Sequence, residues 1–190
     1  MARSRVRWGA ALVAVLALVV GVVLVSCQPP RRVLVIGDSL TVGAVQQGLG
    51  QGSSWEWTVS AEVGRGTNAG IAVARSTDVG DYDLVIVALG TNDYLDTTAA
   101  YAARIDAMVT ALAGGPPIVW VNVDAATSHL APAALGVNPA IAAAPTRHLR
   151  VRVGDWAAHV RTVPNMDAHR AGDGIHYSAS GKALYARWLE

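Results

Sequence analysis

The sequence predicts an α/β domain built on a five-stranded parallel sheet with helices on both faces. Three observations predict it. Short apolar runs without strict polar alternation fall at residues 33–36, 57–63, 84–89, 118–123 and 149–153, which a sheet buried on both faces demands. Longer stretches separate them, enough for a helical crossover between parallel strands. Glycine or small polar residues follow the strands, at the carboxyl edge where such a sheet opens its functional face.

Taken in order, residues 33–36 form a continuous aliphatic run that stops at Gly37. Residues 57–63 are less hydrophobic, and 84–89 are the clearest strand, entered through Asp81-Tyr82-Asp83 and left at Gly90. Gly114-Gly115-Pro116-Pro117 launches 118–123, and 149–153 ends at Gly154-Asp155. Between strands, residues 98–113 place Ile105, Met108, Val109 and Leu112 on one helical face. Residues 178–189 do the same with Leu184, Tyr185 and Trp188, and Ser178 is the expected N-cap. The Ala-, Pro- and Gly-rich segment 125–144 is expected to help shape a substrate cleft.

The first thirty residues have a different character. Arg3, Arg5 and Arg7 precede an uncharged apolar run over 8–25, then Ser26, Cys27, Gln28 and Pro29-Pro30. That is the order of a basic n-region, an apolar h-region and a processing site. Leu24-Val25-Ser26-Cys27 resembles a bacterial lipobox, which implies cleavage before Cys27, lipidation of its thiol and anchoring by acyl chains. The alternative is an uncut anchor, since about 18 apolar residues suffice to span a bilayer. The expected division is a lipoprotein signal or signal anchor over 1–26, a linker over 27–32 and a folded domain over 33–190. The arginines place that domain outside the cytoplasm, held at the bacterial cell membrane.

Charge narrows the partners. The whole chain has 15 basic and 14 acidic residues, a net +1 and a pI near 8.0. Without the three leading arginines, 12 basic residues face 14 acidic ones, a net of −2. No basic patch argues for nucleic acid. Cys27 is the single cysteine, so no internal disulfide and no cysteine zinc site is expected. Walker A and HExxH motifs are absent, and no cofactor or metal is expected. Gly64-Arg65-Gly66-Thr67-Asn68-Ala69 satisfies a loose dinucleotide pattern, but it follows the second strand rather than the first. Thr41 stands where a G-x-S-x-G elbow needs its last glycine.

The polar residues at the strand ends fit acyl transfer. Ser39 follows the first strand, Gly64 the second and Asn92 the third, while Asp173 and His176 precede the last helix. A serine nucleophile needs a base, and histidine is the usual one. The base needs a carboxylate to hold its tautomer, and the oxyanion needs donors already in place. Asp173, three residues before His176, is spaced to reach its second ring nitrogen. The Ser39 and Gly64 backbone N–H groups and the Asn92 amide are the candidate oxyanion donors. Singly, each residue has a structural alternative: Ser39 as a helix cap, Asn92 and Asp93 as turn formers, His176 as a satisfied surface residue. Their coincidence at one rim favours chemistry.

Gly37-Asp38-Ser39-Leu40, Gly64, Gly90-Thr91-Asn92-Asp93 and Asp173-Gly174-Ile175-His176 resemble, in family order, the four blocks of the SGNH (GDSL-type) hydrolases. That resemblance implies a three-layer α/β/α flavodoxin-like sandwich, a Ser39–His176–Asp173 triad, and an oxyanion hole of Ser39, Gly64 and Asn92. Segments 85–92, 119–123, 138–141, Asp155-Trp156 and 173–186 are similar to SGNH domains of bacterial cell-wall O-acetyltransferases. The chain lacks the multi-pass acyltransferase region of those proteins, so hydrolysis, or transfer between external esters, is expected. The substrate is expected to be a short acyl ester, chiefly acetyl, on envelope carbohydrate, handled by a monomer. A non-catalytic envelope binding protein on the same fold is the alternative.

Among the other polar residues, Asp38 is expected to bond its own loop and Asp93 to brace the third-block loop. His169 is the nearest rival to His176, but no acid stands three residues before it. His129, His148 and His159 are expected to be exposed, and Asp155-Trp156 to pack the end of the sheet.

Overall fold

The structure, a computed structural model, describes residues 29–190. The segment 1–26 and Cys27 lie outside the described residues. No helix among the described residues is long and apolar enough to cross a membrane.

Five strands form one parallel sheet: β1 (Arg32–Gly37), β2 (Glu56–Ala61), β3 (Leu84–Ala88), β4 (Ile118–Val121) and β5 (Val151–Gly154). Their order is β2-β1-β3-β4-β5, with every pairing parallel. Among the described residues six α-helices cover it: α1 (Ser39–Gln46), α2 (Thr67–Ser76), α3 (Thr98–Ala111), α4 (Val137–Arg147), α5 (Trp156–Thr162) and α6 (Ala179–Leu189).

The apolar runs divide between two cores as strand geometry requires, successive side chains pointing to opposite faces. Leu34, Ile36, Val85 and Val87 pack on Ile71 of α2, Ile105 and Met108 of α3, and Ile141 of α4. Val33, Val35, Ile86 and Ala88 pack on Leu40 of α1, Trp156 of α5 and Tyr185 of α6. The predicted three-layer sandwich is therefore present.

Several boundaries differ from the sequence reading: β4 ends at Val121 rather than 123 and β3 at Ala88 rather than 89. β2 ends at Ala61, not 63, because at the sheet edge only part of it is buried; residues 62–66 become the loop that carries Gly64. β5 begins at Val151, and Leu149, the expected first strand residue, is 86% exposed. Helix α3 ends at Ala111 rather than 113, where Gly114 takes a positive φ of 76°. The segment 125–144 also divides: its second part enters α4, leaving residues 125–136 as the connecting loop.

Ile105 is fully buried at the centre of the first core. Truncation removes packed atoms and leaves a cavity, so Ile105→Ala should cost about 2–5 kcal/mol. Urea unfolding should show a lower midpoint with an unchanged slope.

Candidate active site

The sheet order reverses direction between β1 and β3, so the loops after those strands part and leave a crevice at their carboxyl ends. Ser39, two residues past β1, is the first residue of α1. A first-turn N–H has no intrahelical acceptor, so the Ser39 N–H is unclaimed by its helix. Asp38 is the N-cap, its Oδ1 accepting from the Leu40 N–H at 2.9 Å. It thus bonds its own loop, as expected, and is 1% exposed. Burial, outweighing the Leu40 bond that lowers it, pushes its carboxyl up to about 6.

Asp173 and His176 lie in the loop before α6. Asp173 Oδ1 accepts from the backbone N–H groups of Ile175 and His176, each at 2.9 Å. Its Oδ2 takes the His176 Nδ1–H at 2.6 Å, which leaves Nε2 to accept from the Ser39 hydroxyl at 2.9 Å. The His176 backbone bond, followed by its ring bond and the Ile175 bond, holds the Asp173 carboxyl well below the usual range. Asp173 therefore remains an anion wherever His176 needs one.

The other candidate residues surround this line. Gly64 has a φ of 77°, a left-handed conformation that L side chains rarely adopt, and open space where a Cβ would stand. Gly90, at φ 127°, turns the chain after β3; a Cβ there would sit 2.8 Å from Tyr101 Oη. The exposed Asn92 donates one amide hydrogen to the Arg65 carbonyl at 3.1 Å, which orients the amide and leaves its second hydrogen free. Asp93, buried, accepts from Thr67 N–H at 2.9 Å and Thr67 Oγ1 at 2.7 Å, and pairs with Arg104 Nη1 at 3.3 Å. The Asn92 and Asp93 side chains together tie the third-block loop to the loop that carries Gly64.

Arg65, unassigned in the sequence reading, joins that frame. Its guanidinium donates to the Ser60 carbonyl at 2.6 Å and the Gly37 carbonyl at 3.3 Å, and pairs with Glu62 at 3.1 Å. It braces the ends of β1 and β2 together. Only its place directly after Gly64 could have pointed to it.

The remaining histidines are engaged elsewhere. His169 Nδ1 bonds Ser180 Oγ at 2.9 Å. His129 is exposed as expected, 4.9 Å from the Tyr94 ring. The expectation fails for His148 and His159, which are half-buried. His148 Nε2 bonds Asp106 Oδ1 at 2.6 Å and is the main cause of that carboxyl's lowered pKa; His159 stacks on Trp156 at 5.4 Å. Asp155 caps α5 through the Ala158 N–H, and Trp156 is buried against Tyr177, Tyr185 and Trp188. No group of three or more potential metal ligands occurs among the described residues.

The sequence matches no protein-family model and no curated protein. Solved structures share its fold. The C-terminal catalytic domain of Streptococcus pneumoniae peptidoglycan O-acetyltransferase A, solved with a methylsulfonyl adduct, aligns with a TM-score of 0.63 at 18% identity, covering 84% of this chain and 90% of that one. A member of the lipolytic protein G-D-S-L family from Veillonella parvula gives 0.68 at 19% identity, covering 84% and 96%. A lipase/acylhydrolase from Enterococcus faecalis gives 0.59 at 14% identity, covering 84% and 93%. The chain has the fold of the GDSL-type acylhydrolases.

Asp38 gives the site a pH signature in stability. A carboxyl raised by folding favours the native state in its protonated form. Its contribution is whole below about pH 4, falls between about 4 and 6, and is lost above. Asp38→Asn keeps an oxygen for the Leu40 N–H and removes the charge. Urea midpoints from pH 4 to 7 should show the variant gaining on the parent as pH rises through that window; parallel profiles would contradict the assignment.

Proposed function

We propose that the protein is a serine esterase that cleaves a short acyl group, chiefly acetyl, from an ester on envelope carbohydrate through an acyl-Ser39 intermediate. The observation that carries this reading is the unbroken line Asp173 Oδ2–His176 Nδ1, His176 Nε2–Ser39 Oγ, at 2.6 and 2.9 Å. It supplies nucleophile, base and orienting acid at the crevice of an acylhydrolase fold.

The chemistry follows from that line. Ser39 Oγ attacks the ester carbonyl carbon while its proton passes to His176 Nε2. Asp173, held as an anion, stabilises the imidazolium and its tautomer. The negative carbonyl oxygen is taken by donors fixed beforehand: the Ser39 and Gly64 N–H groups and the free amide hydrogen of Asn92. As the tetrahedral adduct collapses, His176 returns the proton to the departing alcohol oxygen, leaving acyl-Ser39. Water then enters, its oxygen attacking the acyl carbon while its proton passes to His176. As this second adduct collapses, the C–Oγ bond breaks and His176 returns that proton to Ser39 Oγ, releasing the carboxylic acid and free Ser39. A sugar hydroxyl in place of water would make the same step an acyl transfer.

The lipobox-like Leu24-Val25-Ser26-Cys27 supports an extracytoplasmic enzyme tethered at the membrane through Cys27. The fold is shared alike with a peptidoglycan O-acetyltransferase domain and with lipases, so the lean towards a small acyl group on envelope glycan rests on the resemblance of segments 85–92, 119–123 and 173–186 to cell-wall O-acetyltransferase domains. Fold alone does not fix substrate, so chain length is the property to measure.

The full-length protein should hydrolyse p-nitrophenyl acetate faster than butyrate, and octanoate slowest. Ser39→Ala and His176→Ala should each lower kcat by about three decades or more in folded protein. Asn92→Ala should cost about 10²–10³-fold in kcat with KM little changed. A folded parent that neither turns over these esters nor takes a fluorophosphonate label at Ser39 would instead be a binding protein.

A further inference from the structure

The loop that carries Asp173 and His176 belongs to neither sheet nor helix, yet His176 must stay within bonding distance of Ser39. The loop closes at a neck. Arg170 and Tyr177 form an isolated antiparallel bridge, the Ala171 N–H donates to the His176 carbonyl at 2.8 Å, and the Ser178 N–H donates to the His169 carbonyl at 3.0 Å. The neck therefore ends one residue past His176.

A buried ion pair fixes that neck to the sheet. Arg170 Nη2 donates to Asp124 Oδ2 at 2.6 Å, with the two side chains 13% and 3% exposed. The Tyr177 hydroxyl donates to the same oxygen at 3.4 Å and itself accepts from Trp156 Nε1 at 2.6 Å. Asp124 lies just beyond β4, next to Val123, whose N–H and carbonyl are both bonded by Asn138 of α4 at 2.9 Å. The same connecting loop also holds the tip: Thr127 Oγ1 donates to the Gly174 carbonyl at 2.6 Å. Arg170's other partner, Asp167, lies 2.8 Å away and is fully exposed, which makes it a solvated arm rather than an anchor.

We propose that Asp124 and Arg170 are positioning residues for the proposed esterase, a clamp that sets where His176 Nε2 meets Ser39 Oγ. The proposal rests on the esterase reading for its catalytic consequence. It does not for its geometric one, since the pair acts on a hydrogen bond whatever the substrate. Neither residue touches the reacting atoms. Both Arg170 and Tyr177 reach one carboxylate oxygen, so the loop's two strands are located by a single rigid point on the sheet. Misplacing a base by about 1 Å costs on the order of 10²-fold.

The test uses full-length Asp124→Asn and Arg170→Lys, the second keeping the charge but on a shorter side chain without the Nη2 that reaches Asp124. Ile105→Ala serves as a control for lost stability alone. Two readouts are taken on folded protein well below each melting temperature: kcat and KM for p-nitrophenyl acetate, and the low-field proton resonance of His176 Nδ1–H, assigned by its loss in His176→Ala. We expect kcat to fall about 10–100-fold with KM within about threefold, and the His176 resonance to weaken or move, in both clamp variants but not in Ile105→Ala. If Asp124→Asn fails to fold, Arg170→Lys carries the same comparison. Parent-like kcat and an unmoved resonance in folded Arg170→Lys overturn the clamp. An inert parent whose His176 resonance still responds to Arg170→Lys would sink the esterase reading and leave the clamp standing.

Discussion

The parallel pairing of β1 with β3 is the constraint on which the rest of the site depends. Its register sets Val33 against Leu84 and Gly37 against Ala88, so both strands finish at the same level. One chain turns into α1 at Ser39, and the other turns at Gly90 into a short 3-10 turn over Thr91–Asp93. Because the connections leave to opposite faces, the two turns part and the crevice opens between them. A one-residue slip would reverse every side chain on β1 and bring Leu34 and Ile36 to the wrong core. The apolar alternation between the two cores therefore fixes the register of the candidate site as firmly as it fixes stability.

How much of this the sequence discloses depends on burial. β1, β3 and β4 are covered on both faces, so their residues are uniformly apolar and their positions legible. β2 lies on the edge and alternates between exposed and half-buried residues, so its end was misplaced and the loop after it lengthened. Leu149 misled because a single exposed leucine is ordinary on a protein surface. Helix α4 was hidden by its Ala-rich composition, an N-cap Gly136 without a side-chain bond, and Pro145 within its last turn. In the site, Ser39, Asp173 and His176 were legible because each chemical type has few substitutes. Arg65, Asp124 and Arg170 were not. An arginine that braces carbonyls and one that faces solvent read alike in sequence, and only the fold brings Arg170 and Asp124 together across 46 positions.

The aspartates show how placement, not residue type, sets chemistry. Asp38 is buried with one N–H donor, and desolvation raises it. Asp173 is largely open to water but receives two backbone N–H groups and an imidazole, and is lowered. These two carboxyls lie on either side of the Ser39–His176 bond with opposite tendencies. The one that bonds His176 stays charged across the working range, while the buried one favours its neutral form as acid is added. Deprotonation of Asp38 lowers stability, and its bonded oxygen faces the Leu40 N–H rather than His176.

Buried charge in this domain serves location more than stability. The Asp93–Arg104 and Asp124–Arg170 pairs each join segments that hydrophobic packing alone would not register. Desolvation offsets much of what such pairs gain, so apolar residues of similar volume would often hold the core as well. Apolar contact, however, tolerates sliding, whereas a carboxylate shared by fixed donors does not. Asp93 binds the Asn92 turn to the start of α2, which follows Gly64, and Asp124 binds the His176 loop to the end of β4. The two halves of the crevice, Gly64 and Asn92 on one side and His176 on the other, are thus each referred to the same rigid sheet. A loop-borne histidine can then meet a helix-borne serine without either element having to be rigid by itself.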